Sequence, residues 1–314
     1  MSAVIRHVIA SIGNASAASA EAARSRVAGA GVPMLDRLAA ALAGAQHTPR
    51  PRAERRVICV VAADHAAGDP GIDLGADHPT AVAARAIADG SAALAHLARA
   101  SRTPIVVVDA GVREPAHMPA IAVRLEQDIA QPVAQLEAGI AVAISLAEGD
   151  PLALLVLGAL GVGSELASAG IVGAITRVAP VGLGDREAEA IGARAAADAP
   201  ADAFELLARY GGPDLGVLAG MILGAASMNV AVVLDGHVTG TAALIATQLA
   251  PAARGYLVAA HRGGLTMPSA LAHLELEPIF EVGLGHGEGA GGAMIVPLVD
   301  QVASLSGSDG PEPA

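Results

Sequence analysis

The chain has 314 residues, 31 of them acidic and 19 basic, giving a formal charge of −12 at pH 7. With 1% aromatic residues it lacks the clustered cations and stacking rings that nucleic acid demands, so a small-molecule partner is expected. A single cysteine, Cys59, excludes a disulfide framework and a zinc–thiolate site and fits a reducing cytoplasm, and the absence of lysine removes Schiff-base chemistry and a P-loop lysine.

Residues 1–47 read as a helical segment, clearest in "PMLDRLAAALAGAQ" (33–46), that builds part of a small lobe; an arginine, a short apolar patch and small residues near the start leave a cleaved export signal as an alternative, against which stands a short and interrupted apolar run. "HTPRPRAERR" (47–56) follows as a linker. Residues 48–302 form the core, in which six apolar runs end in Asp, His or Gly: "VICVVAADH", "PIVVVDAG", "ALLVLGALGVG", "NVAVVLDGH", "GYLVAAHRGG" and "PIFEVGLGHG". Continuous Val, Ile and Leu over such lengths marks strands buried on both faces. Alanine-rich helical stretches lie between them, including "PTAVAARAIADGSAALAHLARA", "SELASAGIVGAITRV" and "TGTAALIATQLAP". The alternation predicts an α/β fold, a doubly wound, mainly parallel, Rossmann-like sheet with a small helical lobe. "VLAGMILGAASMNVAVVL" (217–234) carries Ser227 and Asn229 and is flanked by Asp214 and Asp235, so it reads as a buried helix and strand and no membrane span is expected. Residues 303–314 are expected to be a flexible tail.

In such sheets the loops after the strands' carboxyl ends form the ligand crevice. Asp64, His65, Asp109, Asp235, His237, His261, His286 and Glu288 all occupy that position and should share one rim. "LGALGVGSELAS" leaves a strand and opens a helix, so the amides of Gly161, Val162, Gly163 and Ser164 can face a phosphate or carboxylate, or simply form a tight turn. "VGLGD" (181–185), with Gly182 and Gly184, is a weaker candidate of the same kind. Asp64, His65, Asp235, His237 and His261 are ligand types a metal accepts, but they come from separate loops without local ligand spacing, so no metal is assigned. "GLGHGEGAGG" (283–292) sets six glycines around Glu288, whose carboxylate can take a proton from a substrate nitrogen or stabilise a developing cation.

These motifs together resemble the nicotinate-nucleotide–dimethylbenzimidazole phosphoribosyltransferase family of cobalamin lower-ligand synthesis. The family's terminal RLGEGTGA is similar to "GHGEGAGGA" (285–293), and "LAGAQ" (42–46), "AADH" (62–65), "DGSAALAHLARA" (89–100), "VVVDAGV" (106–112), "GALGVGS" (158–164), "LLARYGGPDLGVLAGMILGAA" (206–226), "VVLDGHVTGTAAL" (232–244) and "YLVAAHR" (256–262) match in the same order. The resemblance implies transfer of phosphoribose from nicotinate mononucleotide to a nitrogenous base, without a cofactor, by a homodimer. It makes Glu288 the general base and residues 161–164 the 5′-phosphate site. It needs no metal, because nicotinate departs from an already cationic pyridinium, and a single displacement inverts C1′.

The departures are as informative. The family's GEMGIGNTT reads "GALGVGSEL", so one family glutamate is Ala159 and an acid, Glu165, stands at a threonine position. KPPGSLG reads "VAGAGVP" (27–33), without the lysine, and SHxSxExGH reads "AHRGGLTMP" (260–268), keeping His261 alone. In the implied acceptor-base pocket, formed by Asp73, Ala81, Leu284 and His286, Asp73 replaces a serine, Gly75 stands at an aromatic position and His286 replaces a leucine. The resemblance therefore implies either a more polar acceptor base or a non-catalytic homologue that binds a nucleotide or corrinoid precursor.

Overall fold

A computed structural model of the chain describes residues 1–65, 75–113, 115–119, 123–125, 131–198, 201–285 and 287–307. Asp73 and His286, both assigned to the base pocket from sequence, lie outside the described residues. The strands are β1 (Arg56–Ala63), β2 (Ile105–Gly111), β3 (Val123–Arg124), β4 (Leu154–Leu160), β5 (Ala231–Leu234) and β6 (Leu257–Ala259). They form one sheet in the order β3-β2-β1-β4-β5-β6, with every neighbouring pair parallel. This is the order of the doubly wound dinucleotide-binding fold, and winding reverses between β1 and β4. All strand ends therefore share one rim, as the sequence pattern predicts.

The helices are α1 (Ala3–Ser11), α2 (Ala17–Val27), α3 (Pro33–Ala45), α4 (Pro79–Asp89), α5 (Ala93–Ala100), α6 (Pro132–Leu146), α7 (Ser164–Thr176), α8 (Arg186–Ala197), α9 (Ala203–Tyr210), α10 (Pro213–Ser227), α11 (Gly236–Leu249), α12 (Met267–Leu274) and α13 (Ala290–Gly307). Helix contacts group α6, α10 and α11 on one face of the sheet and α3, α5 and α13 on the other, as right-handed crossovers in opposite directions from the β1/β4 boundary require. The α6–α10 pair approaches closely because both helices present glycine: a Cβ on Gly139 would stand 1.9 Å from the Val217 carbonyl oxygen, and one on Gly220 2.1 Å from that of Leu136. α10 is buried along nearly its whole length, which accounts for its hydropathy, and no described helix is long and apolar enough to cross a membrane.

Five segments differ in detail from the sequence reading. "PIFEVGLGHG" is not a strand: the amides of Ile279 and Phe280 bond to the carbonyls of Ala259 and Ala260, consecutive residues on consecutive residues, whereas a ladder uses every second one. The glycines that follow remove the side chains a strand would pack. The sixth strand is instead β3, only two residues long. The proline- and arginine-rich segment before β1 is a tethered connector, since the Gln46 side chain bonds both the amide and the carbonyl of Arg52 and the carbonyl of Ala153. The N-terminal helices join the main core through Ile5, Leu38 and Leu42, all fully buried, and α13 runs through residues 303–307, beyond the boundary drawn at 302.

Candidate active site at the strand ends

At the β1/β4 boundary, β1 hands over to Asp64 and His65, and β4 turns through residues 161–163 into α7. Gly161 has φ of 156°, and a Cβ there would lie 1.7 Å from the Ala63 carbonyl oxygen, so the loops can close only over glycine. Asp64 ties them together. Its Oδ1 accepts from the Val162 amide at 3.0 Å and from the Thr80 hydroxyl, and its Oδ2 accepts from the Arg113 amide at 2.8 Å. The His65 amide in turn donates to the Val162 carbonyl at 2.9 Å.

This clamp revises the anion loop. The Val162 amide, expected to face a ligand, is spent on Asp64. Among the described residues the amides of Gly163, Ser164 and Glu165 are not: Gly163 is the N-cap of α7 in the left-handed region (φ 84°), no side chain caps the helix, and no backbone hydrogen bond from these residues is made in the turn leading into it. An uncapped helix start with unspent amides and a favourable dipole suits an anion. Leu183, between Gly182 and Gly184, packs with Leu166 of α7, so the second glycine loop flanks this turn; its Leu183 amide, however, donates to the Glu189 carboxylate at 2.8 Å.

A cleft of about 330 Å³ opens here, lined by His65, Gly163, Leu166, Tyr210, Gly212 and Arg209 among others. Arg209 is its cation, already paired with Glu205 and Asp198. A larger cleft of about 560 Å³, lined by Ile175, Arg177, Thr247 and His273, lies at the opposite ends of α7 and α11 from the rim and is remote from these groups. The His65 ring bonds Asp214 Oδ1 through Nε2 at 2.9 Å, both groups buried. Burial disfavours the imidazolium, but the attraction and hydrogen bond of Asp214, with the charges of Asp64 and Glu165, outweigh it and raise the His65 pKa.

On the other side of β4, Asp235 and His261 form a closed pair. The Gly263 amide donates to His261 Nδ1 at 3.0 Å, so the proton resides on Nε2 and is donated to Asp235 Oδ1. Asp235 Oδ2 accepts from the Gly291 amide at 3.1 Å and so fixes the first turn of α13. Asp109 shapes its own loop by accepting from the Gly111 and Val112 amides at 3.1 Å. Asp64, Asp109, Asp235 and His261 are thus positioning groups, and among the described residues no three His, Cys, Asp or Glu side chains converge as metal ligands.

Glu288 differs from all of these. Its loop hangs from the end of β4: the Ala159 amide donates to the Gly287 carbonyl at 2.9 Å, and Gly158 lies directly beneath Glu288, where a Cβ would stand 2.6 Å from the Glu288 carbonyl carbon. Gly287 packs on the Asp235 carbonyl. The Glu288 side chain is half-buried and makes no hydrogen bond or ion pair among the described residues. Leu284 is half-buried in the same loop, and Ala81 is buried in α4 beside the Thr80 that binds Asp64.

A phosphoribosyltransferase family model matches residues 12–308. The nicotinate-nucleotide–dimethylbenzimidazole phosphoribosyltransferase of Roseiflexus castenholzii is 34% identical, with 96% of this chain and 94% of that protein aligned, and its counterpart in Desulforudis audaxviator is 32% identical over the same shares. CobT from Thermus thermophilus superposes with a TM-score of 0.73 at 27% identity, covering 92% of this chain and 96% of that one. The chain belongs to this phosphoribosyltransferase family.

Family membership gives weight to what the site has lost and gained. Ala159, where the resemblance expects a glutamate, follows Gly158 in β4, so its methyl group points to the sheet face opposite the one on which Glu288 crosses Gly158, while Glu165 adds a carboxylate in the first turn of α7. Three contributors were not singled out from sequence. Thr80 and Gly212 act through contacts that only the fold creates, Gly212 leaving room where a Cβ would come within 2.2 Å of the His65 ring. Asp214 carried a signal, because a carboxylate opening an apolar helix is buried and must find a partner.

Proposed function

We propose that this phosphoribosyltransferase moves phosphoribose from nicotinate mononucleotide to a nitrogenous base. The observation that carries the reading is that one strand end, that of β4, supports both an uncapped helix start with unspent amides and the unspent Glu288 carboxylate. The 5′-phosphate sits on the amides of Gly163, Ser164 and Glu165. The acceptor nitrogen attacks C1′ as the bond to nicotinate breaks, the electron pair neutralising the pyridinium. Glu288 takes the proton from the acceptor and stabilises the cationic sugar. Asp64, Asp235 and His261 hold the loops, and Ala81, Leu284, Asp73 and His286 surround the base, which the two polar replacements make a more polar ring than dimethylbenzimidazole.

The test is incubation with nicotinate mononucleotide and a panel of benzimidazoles, purines and other azoles, with ribotides detected by mass. A ribotide with release of one nicotinate is the expected result. Ala159 favours a second reading, a homologue that binds the nucleotide without turning it over; tight binding with no ribotide from any base would establish it. We further propose a cytoplasmic homodimer, supported by the single buried thiol and the family resemblance, which light scattering at micromolar concentration would check.

A further inference from the structure

The N-terminal turns of α7, α11 and α12 meet at the rim, and the three helices pack against one another in every pairing. Among the described residues, each brings polar atoms that have no partner. In the first turn of α11, both ring nitrogens of His237 are buried and unbonded; Thr266, the N-cap of α12, and Ser168, in the second turn of α7, are fully buried with unpartnered hydroxyls. Glu165 lies one turn before Ser168 on the same face of α7, half-buried and without a hydrogen bond or ion pair among the described residues. Gly264, two residues before Thr266, lies against the His237 ring, and a Cβ there would be 3.0 Å from Nδ1.

Buried donors and acceptors left unbonded cost about 1–3 kcal/mol each, so several at one junction point to a ligand that bonds them. Burial holds the His237 ring neutral against the opposing charges of Glu165 and Asp214, so it offers one donor and one acceptor. Glu165 offers acceptors alone. It stands in the same turn as the amides assigned to the phosphate, where its charge would repel a second anion but would accept hydrogens from hydroxyls. A neutral group rich in hydroxyls, covalently attached to the phosphate, meets the conditions set by Glu165 and His237.

We propose that Glu165 and His237 form the ribose subsite, Glu165 accepting from the vicinal diol and His237 bonding the same pair of hydroxyls from the opposite side. Both are specificity-determining residues for the sugar, a reading that rests on the phosphate placement of the proposed function. The full chain would be titrated by calorimetry with ribose 5-phosphate and with 2-deoxyribose 5-phosphate, as wild type and as Glu165→Gln and His237→Phe. Wild type is expected to prefer ribose 5-phosphate by about ten-fold or more, and each variant to reduce that preference to about three-fold or less with its affinity for the deoxy sugar unchanged. A thermal melt of each variant identifies one that has lost its fold, and the other then decides. The proposal is overturned if wild type shows no preference or binds neither sugar phosphate, or if the folded variants keep the preference. Failure of the transfer reading has a different signature: no ribotide from any base, with the sugar preference intact.

Discussion

Two sets of carboxylates line the same rim, and they differ in what their oxygens do. Asp64, Asp109 and Asp235 sit at the ends of β1, β2 and β5, are buried, and accept from backbone amides, those of neighbouring loops for Asp64 and Asp235 and of its own loop for Asp109. Glu165 and Glu288 stand one step further out, after the glycine turns that follow β4 and precede α13, and they accept from nothing described. The short acids build the shelf, and the long acids stand on it. Residue type alone would have ranked all five as candidate catalysts; the distribution of hydrogen bonds separates them.

The largest effect expected from this division is on chemistry. Glu288→Gln keeps the shape and removes the proton acceptor, so turnover should fall by roughly two to four orders of magnitude with stability and nucleotide affinity nearly unchanged. Asp235→Asn should do the reverse. Its Oδ1 and Oδ2 both face N–H donors, from His261 and Gly291, so an amide nitrogen must oppose one of them, costing about 1–3 kcal/mol in urea denaturation. If Glu288→Gln turned over at the wild-type rate with the best base, the distinction between the two sets would collapse.

The glycines of the loops divide in the same way. Gly161→Ala forces a Cβ into the Ala63 carbonyl and should destabilise the chain by about 3 kcal/mol or more. Gly182→Ala meets nothing within 4 Å and bears only the left-handed backbone cost, about 1–2 kcal/mol. A smaller, purely functional effect is expected from Gly163→Asp. Aspartate tolerates the left-handed region and caps helices, so α7 should persist, but its carboxylate takes the amides assigned to the phosphate. Nucleotide affinity should drop by about ten-fold or more in calorimetry, and an unchanged affinity would make the turn structural only.

How much of this was legible in the sequence follows from the range of the interactions. Strands buried on both faces announce themselves as apolar runs, so β1, β2, β4, β5 and β6 and their shared rim could be read directly. β3 could not, because two residues carry no periodicity, and "PIFEVGLGHG" was misleading because a strand's composition does not specify a ladder partner. Glu288 stood out through its glycine neighbours, a local signal. The spending of the Val162 amide on Asp64 was invisible, because it joins residues 98 positions apart. His237 was visible only as one of several rim histidines; its two unbonded nitrogens exist only because three helices converge around it.

The smallest expected effects are in pH dependence, and they take opposite signs at two histidines of the rim. The His65 pKa is raised by Asp214 and its neighbours against burial, so the stabilisation from that pair is fully present below the ordinary histidine value of about 6.5 and is lost as pH rises through the raised value. The loss of stability on His65→Gln should therefore be larger at about pH 5.5 than at about pH 8.5. For His237, burial lowers the pKa despite Glu165 and Asp214, so the folded state favours the neutral ring. Its contribution is present above about 6.5 and is lost as pH falls through the lowered value, because the unfolded chain then binds the proton first. Replacing His237 with phenylalanine should therefore make the chain less sensitive to acid, moving the stability difference in the direction opposite to that of His65→Gln over the same pH interval. Urea denaturation of both variants at the two pH values checks the pair. Two differences of the same sign would mean that the rim does not separate a paired histidine from an unpaired one, and that the unspent atoms at the α7, α11 and α12 junction are met by groups within the protein.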